Sequence, residues 1–369
     1  MKILHLISSG GMYGAEAVIL NLCGVIQASN QHQGVLGIFA NANLSLHEAA
    51  LRAGLESHLI PCHGQFDRSV PAAIRSLVQQ TGADVIHSHG YKSDVYAWLA
   101  LRRTPVPLVS TCHTWYDNNL SLRIYGAVDR WVLRSYDEVV AVSGQVQDRL
   151  LRAGVEPKRV HLIRNGINVR PFADAVSQRR QRQEAGDAVR VGLVGRLAPE
   201  KGVDVFLRAA AEVLKEFPET QFVVVGDGPD RAALEELRKT LNLEDKASLP
   251  GPRGDMPHFY GSIDLLVSAS RQEGLPMALL EGMASGLPVV VTSVGQVPQV
   301  IDSNTVGRIV PPGDPSVIAR AITELLRDAN LRQRIGMAAQ ARIAAEFSAD
   351  RMAADYIHVY EQAVQEKSR

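Results

Sequence analysis

Glu273 and Glu281 enclose the segment Glu273-Gly274-Leu275-Pro276-Met277-Ala278-Leu279-Leu280-Glu281. Pro276 suits the first turn of a helix. That leaves Glu273 in the loop ahead of the helix and Glu281 more than a turn inside it. The N–H groups around Gly274, Leu275 and Met277 would then point, with the positive end of the helix dipole, at whatever Glu273 faces. Two carboxylates beside such a terminus can serve sugar hydroxyls while the backbone serves phosphate. Either one can equally be a cap or a solvated residue.

Three glycine-bearing turns follow apolar runs. Gly195-Arg196-Leu197-Ala198-Pro199-Glu200-Lys201-Gly202 carries two cations on either side of a turn. Arg196 offers a planar fork and Lys201 a mobile point charge, a pair suited to phosphate unless both are simply solvated. Gly10-Gly11-Met12-Tyr13-Gly14-Ala15-Glu16 opens a helix and suits a diphosphate or a bare βα turn. No Gly-Lys-Ser/Thr follows it, so it is not a Walker A loop. Gly226-Asp227-Gly228-Pro229 reads as a structural turn.

His87 and His89 fall on the same side of one strand, as metal ligands can. No third Cys, His or carboxylate sits nearby at ligand spacing, so no metal site is expected. His113 follows another apolar strand and by itself reads as a loop or core residue. Neither a Gly-x-Ser-x-Gly elbow nor an Asp-x-Asp clamp for metal and diphosphate occurs.

These residues need a scaffold of alternating strands and helices. Apolar runs predict strands over 2–8, 34–40, 57–60, 85–87, 108–111, 138–141 and 160–163. A second series covers 189–194, 221–225, 247–249, 265–268, 289–292 and 307–310. Continuous runs such as Phe222-Val223-Val224-Val225 fit parallel strands covered on both faces. The expected class is α/β with parallel sheets. The polar stretch 170–188 reads as a linker or surface helix and separates a domain over 1–170 from one over 188–350.

With 39 basic and 39 acidic residues in 369, the chain lacks the basic excess of a dedicated nucleic-acid binder. The charge is uneven: 19 basic against 14 acidic residues over 1–185, and 20 against 25 over 186–369. Cys23, Cys62 and Cys112 are few, odd in number and far apart, so neither a disulfide framework nor a zinc ribbon is indicated. A reducing cytoplasm is the default compartment. No apolar run is long enough for a transmembrane helix. The opening segment is too short and too interrupted for a signal peptide and reads better as a buried strand.

Together these segments resemble the retaining glycosyltransferases of family 4, the glycosyl transferases group 1. That family has the GT-B fold of two facing Rossmann-like domains. The likeness rests on Glu273 and Glu281 within Glu-Gly-Leu-Pro, the Gly-Leu-Pro-Val-Val-Val run over 286–291, and Gly195-Arg196 with Lys201-Gly202 upstream. Gly10-Gly11 with Gly14-Ala15-Glu16, Val142-Ser143 and Arg164-Asn165-Gly166-Ile167 also match in order and spacing.

The resemblance implies that Arg196 and Lys201 neutralise a donor diphosphate and stabilise the leaving group. Glu281 would hold the ribose hydroxyls, and Glu273 with the Gly274 and Leu275 amides the donor sugar. Gly11 would approach the diphosphate or the sugar from the other domain, and His113 would reach the transferred sugar. The base would lie near Gly251-Pro252-Arg253, which makes Gly251 and Arg253 donor contacts. The last helix, over 351–369, would return to the first domain, and the two domains would meet at a cleft that closes on the donor. The family often carries Gly-Gly-x-x-Glu where this chain has Gly295-Gln296-Val297-Pro298-Gln299, so a carboxylate contact from that loop is in doubt.

The function so implied moves a sugar from a UDP- or GDP-sugar to an acceptor hydroxyl, in cell-envelope polysaccharide or glycolipid assembly. Fixed cations and helix amides would stabilise the departing diphosphate without a metal or other cofactor. No carboxylate stands out as the nucleophile that double displacement needs. The family is read instead as front-face attack, with the leaving phosphate oxygen taking the acceptor proton. One alternative is a sugar-nucleotide 2-epimerase, recognised by products formed from donor alone. The other is a non-catalytic sugar-nucleotide-binding protein, which would turn nothing over.

A helical stretch over 120–135 places Leu120, Ile124, Ala127, Val128 and Trp131 on one face, with Arg123, Arg130 and Arg134 on a stripe beside it. This is either an ordinary helix packed on its own sheet or a surface that lies on anionic lipid to reach a lipid-linked acceptor. The second reading adds a peripheral position on the inner face of the membrane.

Overall fold

The computed structural model describes residues 1–8, 11, 14–40, 43–64, 66–113 and 120–367, with side chains of the last stretch from 125 onward. The chain divides into two compact units, Met1–Gly166 with Ala349–Arg369, and Ile167–Ser348.

In the first unit β1 (Lys2–Ile7), β2 (Gln33–Ala40), β3 (Glu56–Pro61), β4 (Val85–His89), β5 (Leu108–Cys112), β6 (Glu138–Ala141) and β7 (Val160–Leu162) form one sheet. Its order is β3-β2-β1-β4-β5-β6-β7, and every neighbouring pair is parallel. The second unit holds β8 (Arg190–Val194), β9 (Gln221–Val225), β10 (Ala247–Gly251), β11 (Leu265–Ser268), β12 (Val289–Thr292) and β13 (Arg308–Val310). Their order is β10-β9-β8-β11-β12-β13, again all parallel. The architecture is that of two Rossmann-like α/β units, as the alternating apolar runs imply.

The apolar strands are buried because helices cover both faces. Val191, Leu193, Phe222, Val224 and Val267 enter one core of the second unit, while Val225, Leu266, Val289 and Val291 enter another. Strand order reverses between β1 and β4, and again between β8 and β11. In sheets of this kind such a reversal opens a crevice at the carboxyl ends of the strands.

Three features depart from or sharpen the sequence expectations. First, the polar stretch beyond 170 is not a free linker. It forms the helix Ala175–Glu184, which packs into the second unit. Its Arg179 is buried and donates to the carbonyls of Ile263 (2.9 Å), Gly286 (2.9 Å) and Ser285 (2.7 Å). Burial pulls the guanidinium down to about 10, with Asp264 opposing.

Second, the final helix, Ala349–Lys367, covers the first sheet. Tyr360 hydrogen bonds His87 Nδ1 at 2.7 Å and Tyr356 hydrogen bonds Thr111 at 2.8 Å. Lys367 reaches both oxygens of Asp137 at 3.0 Å.

Third, the helix Leu120–Leu133 does not bury the apolar face read from its sequence. Gly126, Asp129, Val132 and Leu133 point inward, whereas Ala127, Val128 and Trp131 are exposed. Leu120, Arg123 and Ile124 have side chains outside the described residues.

Candidate active site

The second unit gathers most of the candidate donor residues at the carboxyl ends of β8 and β11, on either side of its strand-order reversal. β8 runs into a 3-10 turn, Pro199–Lys201, that ends on Gly202 with φ 62°. A side chain at Gly202 would stand 2.1 Å from the Ala269 carbonyl, so only glycine lets the turn sit against the loop after β11. Arg271 staples the same two loops. Its guanidinium holds Asp204 through two bonds of 2.8 and 2.7 Å and the Pro199 carbonyl at 2.8 Å, and its backbone N–H donates to Glu200 O at 2.7 Å. Leu197 N–H donates to Asp227 O at 3.0 Å and Asp230 N–H to Leu197 O at 2.9 Å, so the Gly226–Pro229 turn braces the Arg196 loop from beneath.

This framing brings Lys201 and Glu273 together as a partly buried ion pair. Ser270 Oγ donates to the same carboxylate oxygen at 3.4 Å. Glu273 precedes the helix Met277–Ala284, where Pro276 stands at the N-cap and offers no side-chain hydrogen bond. The free N–H groups of that first turn are therefore available to an anion. Gly295, at φ 54°, supports the arrangement: a side chain there would meet the carbonyls of Glu273 and Gly274 at 2.1 and 2.4 Å. Gln296 N–H donates to Gly274 O at 2.9 Å, so the loop that lacks the family glutamate serves through its backbone.

Glu281 lies inside the helix, with Oε2 accepting the Tyr260 hydroxyl at 2.8 Å. Burial pushes the Glu281 carboxyl up from its ordinary value, and the Tyr260 bond draws it part of the way back. Tyr260 itself is buried and its phenol is pushed up, by burial first and then by Glu281, so it remains a donor. Arg196 is exposed and pairs with no carboxylate among the described residues. Gly274 is exposed and Leu275 half-buried. Gly251 ends β10 and accepts the Gly226 N–H at 3.1 Å, while Arg253 is exposed with its guanidinium 5.9 Å from the Phe259 ring.

Gly11 and His113 belong to the first unit. Gly11 follows β1 and is buried. Most of its loop lies outside the described residues. His113 follows β5 and stacks on His89 with ring centres 5.8 Å apart. Its Nε2 is buried without a partner among the described residues, and burial pulls the imidazole down to about 4.

The third imidazole missing from the sequence reading of His87 and His89 is supplied by His5, directly opposite His87 across β1 and β4. Ligand atoms of the three lie within 4.8 Å of one another, a grouping that could hold a metal ion. Four of their six ring nitrogens are engaged in a hydrogen-bond network, while His5 Nε2 and His89 Nδ1 are buried without a partner among the described residues. His5 Nδ1 meets His89 Nε2 at 3.1 Å, and His87 uses Nδ1 for Tyr360 and Nε2 for Thr111, both at 2.7 Å. Burial keeps His5 neutral down to about 3 and holds His87 and His89 well below the usual histidine range, each also opposed by its neighbouring imidazoles.

Tyr260, Arg271 with Asp204, Arg179 and His5 had no sequence signal beyond residue type. Arg179 lies in the polar stretch 170–188 and Arg271 just ahead of Glu273, but neither spacing pointed to its role.

Two family models match the chain: Glycosyltransferase Family 4 over residues 12–170 and Glycosyl transferases group 1 over 175–342. A D-inositol 3-phosphate glycosyltransferase of Salinispora arenicola is 33% identical over 313 residues, which span 76% of this chain and 69% of that protein. A glycosyltransferase of Rickettsia africae superposes with a TM-score of 0.83 at 20% identity, covering 98% of both chains. HepE of Anabaena, solved with UDP, superposes with a TM-score of 0.81 at 22% identity, covering 98% of this chain and 100% of the other.

Proposed function

Because the chain belongs to the group 1 glycosyltransferases of family 4, we propose that it transfers a hexose, with retention, from a nucleoside diphosphate sugar to an acceptor hydroxyl. The observation that carries the reading is the Lys201–Glu273 ion pair at the uncapped start of the helix Met277–Ala284. It sets a cation, a carboxylate and open backbone donors side by side, the three groups that a sugar diphosphate needs.

Breaking the bond from the anomeric carbon to phosphate leaves negative charge on the diphosphate and positive charge on the sugar. Lys201, the exposed Arg196 and the first-turn N–H groups stabilise the departing diphosphate electrostatically. Once a phosphate takes Lys201, Glu273 is released to accept sugar hydroxyls. Glu281, oriented by Tyr260, holds the ribose hydroxyls. Gly251 and Arg253 border the base, and the Gly274 and Leu275 amides the sugar. His113 and Gly11 keep the roles that the resemblance implies, His113 toward the transferred sugar and Gly11 toward the diphosphate or the sugar. The leaving phosphate oxygen takes the acceptor proton as the new glycosidic bond forms on the same face. HepE was solved with UDP, which supports a nucleoside diphosphate sugar as donor, of the UDP or GDP type.

The acceptor in this reading is lipid-linked, in cell-envelope polysaccharide or glycolipid assembly, and the first unit lies on the cytoplasmic face of a membrane. The exposed Val128 and Trp131 beside Arg130 and Arg134 support that placement. No helix among the described residues is long and apolar enough to cross a membrane.

A panel of UDP- and GDP-sugars, followed by mass spectrometry for slow hydrolysis and for the anomer of the product, tests the donor reading. Cleavage of one donor class to nucleotide and sugar supports it. Conversion of a donor into its 2-epimer would replace it with the epimerase, and no turnover of any donor would leave a binding protein.

A further inference from the structure

In the first unit the helices Tyr91–Leu101 and Leu120–Leu133 pack together along an aromatic seam. Tyr91 stacks on Tyr125 with ring centres 5.5 Å apart and planes 14° from parallel. Trp98 meets Trp131 edge-on at 5.1 Å. Arg102 closes the line, its guanidinium 4.4 Å from the Trp98 ring centre. Positions 91, 95, 98 and 102 recur at helical spacing, so they share one face and run for about 16 Å.

At the Tyr91 end the seam opens into a cavity of about 420 Å³, walled by Phe66, Val95, Tyr96 and Val128, with Ser8 and Lys92 as its other polar members. Ser8 directly follows β1, so the cavity lies at the carboxyl end of the sheet, where α/β folds of this kind bind ligands. Two of the polar groups are already engaged. Tyr96 OH accepts the Asp67 N–H at 2.6 Å, and Lys92 donates to Gly64 O at 3.1 Å. What remains for a ligand is mostly apolar surface, with Ser8 at its inner end. Much of it faces water: Phe66 is 72% exposed, Trp131 55%, Val128 42% and Tyr91 41%. A contiguous apolar strip of this kind marks an interaction site. A cation stands at each end, Lys92 at the cavity and Arg102 at the far end, and no carboxylate lines the cavity among the described residues. The complementary ligand is a hydrocarbon chain on a polar head.

We propose that this seam holds the hydrocarbon tail of an amphiphilic acceptor. The accepting head sits beside Ser8 and Lys92, and the tail runs between the two helices past Trp98 and Trp131 toward Arg102. The proposal rests on the reading of the chain as a glycosyltransferase with a lipid-linked acceptor.

Alkyl glucosides with tails of six to ten carbons test it. Each is titrated below its micelle-forming concentration, without nucleotide, and followed by calorimetry and tryptophan fluorescence. Affinity is expected to rise by about fourfold per methylene until the seam is filled. It should fall at least tenfold in Val128→Asp and in Trp131→Asp, whose side chains are exposed. Met337→Asp, exposed in the second unit, should bind like the parent. Affinity that is flat across the series, or equally steep in all three variants, overturns the proposal. Donor hydrolysis on the same preparations reports separately on the glycosyltransferase reading. Intact hydrolysis with a flat series removes the tail site alone, and a steep series without hydrolysis removes the donor reading alone.

Discussion

Lys201 and Glu273 are ion-paired although 72 residues separate them in the chain. The pair is held by the 3-10 turn after β8 on one side and by the loop before the helix Met277–Ala284 on the other. Each group is thereby kept in place by the other before any anion arrives. A donor phosphate that takes the lysine frees the glutamate in the same step, so in the proposed reaction binding of charge and recognition of the sugar are linked.

Removing either fixed cation should slow transfer. Lys201→Ala and Arg196→Ala are each expected to lower kcat by roughly a hundredfold, the scale for losing one preorganised electrostatic donor. EDTA should leave most of the activity. Near-parental rates in both variants would move the phosphate site elsewhere, and full loss on chelation with recovery on manganese would replace the cation clamp.

Tyr260→Phe removes the hydroxyl that orients Glu281 and keeps the ring that fills the core. A hydrogen bond to a charged group contributes about 1.5–3 kcal/mol, so donor KM should rise by roughly tenfold or more with kcat little changed. An unchanged KM would free Glu281 from any role in donor binding.

Acid should weaken the first unit through its neutral imidazoles. The unfolded chain binds protons on these histidines near pH 6.5, whereas folded His5 and His113 stay neutral down to about 3 and about 4. Their folded values are depressed, so stability is full above 6.5 and declines as the pH falls from there toward 4. Each such group contributes about 1.4 kcal/mol per pH unit within that window. Urea unfolding between pH 7.5 and 4.5 measures the slope, which His5→Phe should reduce. A flat profile would mean that the cluster protonates while folded.

Arg179→Ala leaves four carbonyls without this donor and should destabilise the second unit by about 3 kcal/mol or more. Denaturant titration reads the loss. A change within 0.5 kcal/mol would show that water replaces the guanidinium.

The exposed face of the helix Leu120–Leu133 should bind vesicles. Co-sedimentation is expected to require anionic lipid, to weaken with salt, and to drop when Arg123, Arg130 and Arg134 are all changed to Ser, each cation contributing about 1 kcal/mol. Equal binding to neutral vesicles, or none to either, would favour a soluble acceptor.

Sequence alone carried the fold because its signals are local. Runs such as Phe222-Val223-Val224-Val225 announce buried parallel strands without reference to distant residues. The Glu273–Glu281 spacing was legible for the same reason, being a loop and a single helix. What escaped notice depends on which strands become neighbours. His5 and His87 lie 82 residues apart and meet only because β4 pairs with β1. The Arg179 helix is polar enough to pass for a solvated linker, and its buried face is revealed only by the carbonyls it reaches. The helix over 120–133 shows the converse. An apolar stripe was visible, but the inward face is the one bearing Asp129, Val132 and Leu133.

The final helix belongs to the first unit although the whole second unit intervenes in the chain. During synthesis the second unit can therefore close its core while the sheet made earlier still lacks its cover. Until Tyr356 and Tyr360 leave the ribosome, His87 and Thr111 have no tyrosine partners and the face they share stays open to water or to a chaperone. The first unit is thus completed only after the second has been made.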